Sequence, residues 1–309
     1  MLTMPTMLTR REILKGIGLA TLASSLRARV VAYPGPFCLF SKHLPDMKWD
    51  VLARTVKELG FDGVDLTVRP GGHVLPERVT TDLPLACRAI RNAGLEIPMI
   101  TTGLTRADQV AAATFAAAAQ EKILFLKPGY WKYQFNDVRS EISKWAEEYR
   151  PLVELGRQGN VQVGFHNHSG NLGAPLWDVA PEIDKLEAKY AGYYFDVRHA
   201  VVEGGDAGWK AAFNLVSSRL KMVAMKDFYW EKSSKGWKIV DCPLGEGMVD
   251  WKLYLRKLRE SRFDGPISLH VEYEVGGRTA VEKESRMIAA ISRDFSKLKS
   301  LIKEASEPA

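Results

Sequence analysis

The chain is poor in cysteine. Its 309 residues hold three, Cys38, Cys87 and Cys242. An odd count with no metal-type spacing excludes a disulfide framework and a cysteine-based zinc module. No apolar run approaches the roughly 20 residues that a membrane-spanning helix needs. No Gly-rich dinucleotide fingerprint follows the first strand-like segment, which argues against an open doubly wound sheet. A surplus of positive charge is also missing from most of the chain. The formal charge is +6, but Arg10, Arg11, Lys15, Arg27 and Arg29 against Glu12 place +4 of it in the first 32 residues. The +2 that remains is no footprint for nucleic acid, and no nucleic-acid partner is expected.

The basic leader has its own pattern. Thr9-Arg10-Arg11-Glu12-Ile13-Leu14-Lys15 is followed by a short, mildly apolar run from Gly16 to Leu26. This resembles a twin-arginine export signal and sets residues 1–32 apart from fold reasoning. It implies a periplasmic or exported protein with no stable membrane insertion once the signal is removed. Residues 33–309 then form a single domain.

Within that domain, strand-like and helix-like segments alternate. Strands read at Phe37–Phe40, Val64–Val68, Glu96–Thr101, Ile123–Lys127, Val161–His166, Tyr193–Val197, Met222–Asp227 and Ile267–Glu272. Helical spacing lies between them, for instance Trp49, Leu52, Val56 and Leu59 with Gly60 as a stop. Pro151 should kink or break the helix bearing Trp145, Tyr149 and Leu152. Helices are expected at about 177–187 and 209–217, and a polar hairpin between Trp230 and Val240 over the mouth. Eight strand–helix pairs with short connections predict an α/β fold, a (β/α)8 TIM barrel.

Strand parity then selects the residues that face the barrel interior. On strand five, Val161, Val163 and Phe165 take the helix side and Gln162, Gly164 and His166 the inner side. The same alternation turns Tyr194 and Asp196, Ala224 and Lys226, and Ser268, His270 and Glu272 inward. Four neighbouring strands thus deliver His166, Asp196, Lys226 and Glu272 to the carboxyl end of the barrel, where this architecture builds active sites. Charged groups on otherwise apolar strands are costly to bury unless they are paired or put to use.

Gly60-Phe61-Asp62-Gly63-Val64-Asp65-Leu66, His166-Asn167-His168, Asp196-Val197-Arg198-His199, Met225-Lys226-Asp227 and Glu272 together resemble the sugar phosphate isomerase/epimerase group of the xylose isomerase-like barrels. The resemblance covers about residues 35–300. It implies a small-molecule carbohydrate substrate, a possible oligomer, and a divalent metal ion (Mn, Mg or Zn) held at the ends of strands five to eight. Asp196 and Glu272 match two of the four family ligands. His166 stands where the first glutamate is expected, and Ala224 where the strand-seven histidine is expected. The metal set carried over is therefore Asp196, Glu272 and His166. His199 matches a family histidine that contacts substrate hydroxyls.

The function expected is a carbohydrate isomerase or epimerase that removes a proton beside a carbonyl and passes through an enediolate. Glu272 and His166 form the proton-transferring pair, and Lys226 stabilises the developing oxyanion. His168, His199, Arg69, His73, Lys127 and Trp230 are substrate-binding candidates; Tyr130 and Trp131 could stack on a sugar face. One alternative is a lyase or dehydratase acting on a keto-sugar or related polyol. Another is a catalytically silent sugar-binding barrel. The nuclease branch of the superfamily needs a three-metal cluster, and six histidines, several of them expected outside the mouth, argue against it.

Overall fold

In the computed structural model, residues 33–306 are described. Residues 1–32, where an export signal is expected, lie outside them. In chain order the elements are β1 (Phe37–Phe40), α1 (Trp49–Glu58), β2 (Gly63–Val68), α2 (Val79–Asn92), β3 (Glu96–Thr102), α3 (Gln109–Gln120), β4 (Phe125–Lys127) and α4 (Val138–Gly159). They continue with β5 (Gln162–His166), the short α5 (Ala180–Ile183), β6 (Ala191–Asp196), α6 (Val197–Val216) and β7 (Leu220–Met225). The hairpin β8 (Asp227–Ser233) and β9 (Gly236–Cys242), then α7 (Trp251–Glu260), β10 (Ile267–Leu269) and α8 (Ala280–Ser306) complete the order.

Strands β1 to β7 and β10 close into one parallel barrel, with β10 hydrogen-bonded to both β7 and β1. Closure removes every sheet edge from the core. The helix-facing residues build the surrounding layer: Phe165 of β5 meets Trp145 and Tyr149 of α4 edge-on at ring-centroid distances of 5.2 and 5.8 Å. The inner positions alternate large and small. A Cβ on Gly164 would press on the Met222 methyl and force that side chain to shift, so glycine leaves room for the interior layer beneath His166.

Two expectations are corrected. Pro151 does not break α4, which runs unbroken from Val138 to Gly159. Pro151 lies on the exposed side, where water can satisfy the carbonyl that loses its N–H partner. The helix expected at 177–187 shrinks to the single turn of α5, because Asp178 turns its carboxylate onto the backbone N–H groups of Gly173 and Val179 and shapes a loop. The helix expected at 209–217 is present as the second of two helical pieces in α6; the first starts at Val197, directly after β6, and the two meet at Gly205, whose non-helical φ of 58° only glycine adopts at little cost. The hairpin expected between Trp230 and Val240 is present as β8–β9, paired from Asp227↔Cys242 to Ser233↔Gly236.

Candidate active site

The carboxyl ends of β5, β6 and β7 and the segment after β10 carry the four inward residues that strand parity selects. Asp196 ends β6 and is also the N-cap of α6: its Oδ1 accepts from the His199 N–H at 3.1 Å. Its Oδ2 faces the barrel axis, 3.2 Å from Lys226 Nζ, 3.4 Å from His166 Nε2 and 3.7 Å from His199 Nε2. Lys226 also donates to Glu272 Oε2 at 2.8 Å and lies 2.8 Å from His199 Nε2. Glu272 receives a second ammonium, Lys42 Nζ, on Oε1 at 2.8 Å.

These charges are coupled. Burial would raise both carboxyl groups, but the Lys226 ammonium and the neighbouring donor groups outweigh it. Lys226 leads at Glu272, helped by His270 and Lys42; Lys226 leads at Asp196, helped by His199 and His166. Both are held well below the usual carboxylate range. Burial would strip Lys226 of its proton, but Asp196 and Glu272 hold the ammonium charged. Burial drives His166 down to about 3 against the opposing pull of Asp196, so its imidazole is neutral.

A cavity of about 80 Å³ opens above this cluster, lined by Phe40, Lys42, Arg69, Thr101, Tyr130, His166, His168, Tyr194, Lys226, His270 and Glu272. Arg69 stands at its side, 5.7 Å above the Phe40 ring. His168 also faces it, its ring tilted against that of His199 with centroids 3.9 Å apart. Other candidates are placed elsewhere. His199 sits behind Lys226, with Nδ1 against Ser169 and Arg198. Lys127 is buried, its Nζ 3.3 Å from the centre of the Tyr130 ring. His73 is spent on structure: one ring nitrogen meets Thr67 Oγ1 and the other the Leu44 carbonyl, which braces the loop after β2. Trp230 lies on the hairpin and does not line the cavity, while Trp131 stacks on Phe165 and packs into the helical layer.

The histidines also correct an expectation. His43, His166, His168, His199 and His270 form a continuous chain of rings at the mouth, with neighbouring centroids 3.9 to 6.1 Å apart and His166–His270 at 6.5 Å. Sequence reading misses three supports. Tyr130 Oη lies 2.9 Å from His166 Nδ1. Asn167 clamps the backbone of Asp196, and Arg198 ties Asp241 of the hairpin to the mouth. Hydrogen-bonding side chains next to strand ends were the available signal, but their partners lie about 30 to 40 residues away.

The side chains present do not fit the divalent ion that the resemblance implies. An ammonium, Lys226 Nζ, already sits between Asp196 and Glu272, 3.2 and 2.8 Å from their carboxylate oxygens, and 2.8 Å from His199 Nε2. Ala224 offers no ligand, and among the described residues no group of three or more His, Cys, Asp or Glu is spaced to hold an ion. An ion there would have to displace a buried, charge-paired lysine.

With this geometry in view, the comparisons decide the family. The family model described as xylose isomerase-like TIM barrel matches residues 53–291. The chain belongs to that family. An inosose dehydratase of Lacticaseibacillus casei is 26% identical over 159 residues, which are 46% of this chain and 50% of that protein. The chain thus spans about half the length of the curated relatives it matches. A xylose isomerase-like TIM barrel protein from Mycobacterium smegmatis, solved in complex with magnesium, superposes with a TM-score of 0.65 at 14% identity, covering 88% of this chain and 98% of that one. A D-psicose 3-epimerase from Clostridium cellulolyticum, solved with D-tagatose, gives 0.64 at 10% identity, covering 86% and 99%. At such identities these likenesses establish the shared barrel. No helix among the described residues is long and apolar enough to cross a membrane.

Proposed function

We propose that this chain is a carbohydrate isomerase or epimerase working through an enediolate. One observation carries the reading: a carboxylate, an ammonium and a neutral imidazole converge on one cavity at the barrel mouth. Glu272, held ionised by Lys226 and Lys42, is the base for a proton beside the carbonyl. As the substrate approaches, Lys226 shifts part of its bonding from Glu272 to the oxygen on which charge develops. That shift stabilises the enediolate and makes Glu272 more basic. His166 is the second proton-transferring residue.

A lyase or dehydratase is the second reading, favoured by the match to an inosose dehydratase. Proton removal by the same carboxylate followed by loss of a β-oxygen needs no rearrangement of the site. Incubation with ketohexoses and inosose in D2O separates the two: deuterium beside the carbonyl without elimination supports the isomerase, and an enone chromophore the dehydratase. Glu272→Gln should lower either rate by about 10² to 10⁴-fold; full activity in that variant would remove Glu272 from the mechanism. Export by the twin-arginine segment is part of the same proposal.

A further inference from the structure

Hydrogen-bond accounting around His166 leaves its imidazole without a free nitrogen. Nε2 faces Asp196 Oδ2 at 3.4 Å, an oxygen that can only accept, so the proton of the neutral ring belongs on Nε2. Nδ1 is then bare, and the Tyr130 hydroxyl at 2.9 Å donates to it. Tyr194 stacks on the ring at a centroid distance of 4.4 Å and fixes its plane. The imidazole therefore cannot exchange a proton with a bound molecule except through one of its two partners. Asp196 is fully buried and tied to Lys226, whereas Tyr130 lines the cavity.

We propose that the Tyr130 hydroxyl is the catalytic group on this side of the cavity, with His166 and Asp196 behind it as a proton relay. The inference rests on the isomerase reading and refines it. Glu272 moves the carbon-borne proton, and Tyr130 moves the oxygen-borne one. As the O–H bond of a substrate hydroxyl breaks, a bond forms to Tyr130 Oη, whose own proton passes to Nδ1 of His166. The imidazolium so formed keeps its Nε2 proton directed at Asp196, which balances its charge. Return along the same path places the proton on the neighbouring substrate oxygen, and the enzyme ends as it began. The same relay can protonate a departing hydroxyl in the dehydratase reading.

Two measurements test this on the full-length protein. The first is deuterium exchange into D-fructose, D-psicose, D-tagatose and inosose in D2O, comparing wild type with Tyr130→Phe, which keeps the ring against Lys127. The expected result is a fall in kcat of about 10²-fold or more with KM changed less than about threefold. An unchanged kcat overturns the relay. The second needs no substrate: ¹⁵N NMR of the His166 ring should find its proton on Nε2, with the Nδ1 signal moving in Tyr130→Phe as its donor is lost. A proton on Nδ1 in the wild type, or an Nδ1 signal indifferent to Tyr130→Phe, overturns it too. If the wild type exchanges no proton with any of these sugars, the isomerase reading fails, and the ring signal still decides the Tyr130–His166 link.

Discussion

Asn167 and Asp196 hold each other in place: Asn167 Nδ2 donates to the Asp196 carbonyl at 2.9 Å, and Asn167 Oδ1 accepts from the Asp196 N–H at 2.8 Å. Both residues are wholly buried, and the pair locks the end of β5 to the end of β6. Replacing Asn167 by Ala leaves a buried N–H and a buried C=O without partners. The expected loss is about 2–4 kcal/mol of stability, read by urea denaturation, with activity falling as Asp196 drifts from Lys226. A loss below about 0.5 kcal/mol would mean that water or another side chain replaces the clamp.

Lys226 fills the place that an ion would need, so protein purified without chelator should carry well under one divalent ion per chain. Its melting temperature should not respond to Mn²⁺ or EDTA. The double change Ala224→His, Lys226→Ala should reverse this, restoring an imidazole and freeing Asp196 and Glu272, with a rise in melting temperature on adding Mn²⁺. One tightly held ion per wild-type chain would refute this account of Lys226.

Asp65 sets a pH dependence of stability. Burial raises its carboxyl to about 6, although Thr101, Ser268 and Tyr194 all donate to it. A group raised in the folded state contributes stability below its unfolded value, near 4, and loses that contribution as pH rises through about 6. The difference in unfolding free energy between wild type and Asp65→Asn should therefore shift against the wild type between pH 4 and 6.5. The shift should be at most about 3 kcal/mol, two pKa units' worth. A difference that is flat with pH would show that folding does not raise the Asp65 carboxyl.

Export is checked by changing Arg10 and Arg11 to lysine. The doubly substituted precursor should stay in the cytoplasm of a twin-arginine-competent bacterium, and undiminished appearance in the periplasm would refute the signal.

Much of this site is legible before folding. Period-two alternation alone places His166, Asp196, Lys226 and Glu272 inside the barrel, and the structure gathers them within hydrogen-bonding reach. What alternation cannot supply is pairing. That Tyr130 answers to His166, or Asp241 to Arg198, depends on loops whose course is set by tertiary contacts. Gly245-Glu246-Gly247 shows the same limit. It looks generic in sequence, yet the N–H groups of Gly245 and Gly247 both bind Asp227 Oδ2, and a Cβ on Gly247 would run into that carboxylate. His73 and Trp230 are misplaced for the opposite reason: a polar or aromatic residue just past a strand end can serve the loop as readily as a ligand.

The divided duty of Asp196, one oxygen starting a helix and the other facing the cavity, has a practical cost for anyone altering this protein. Alanine there would unfasten α6 and disarm the mouth in one stroke, so a dead variant would teach nothing about which task mattered. Asparagine starts helices about as well as aspartate while carrying no charge. It is the exchange that pries architecture apart from chemistry at this position.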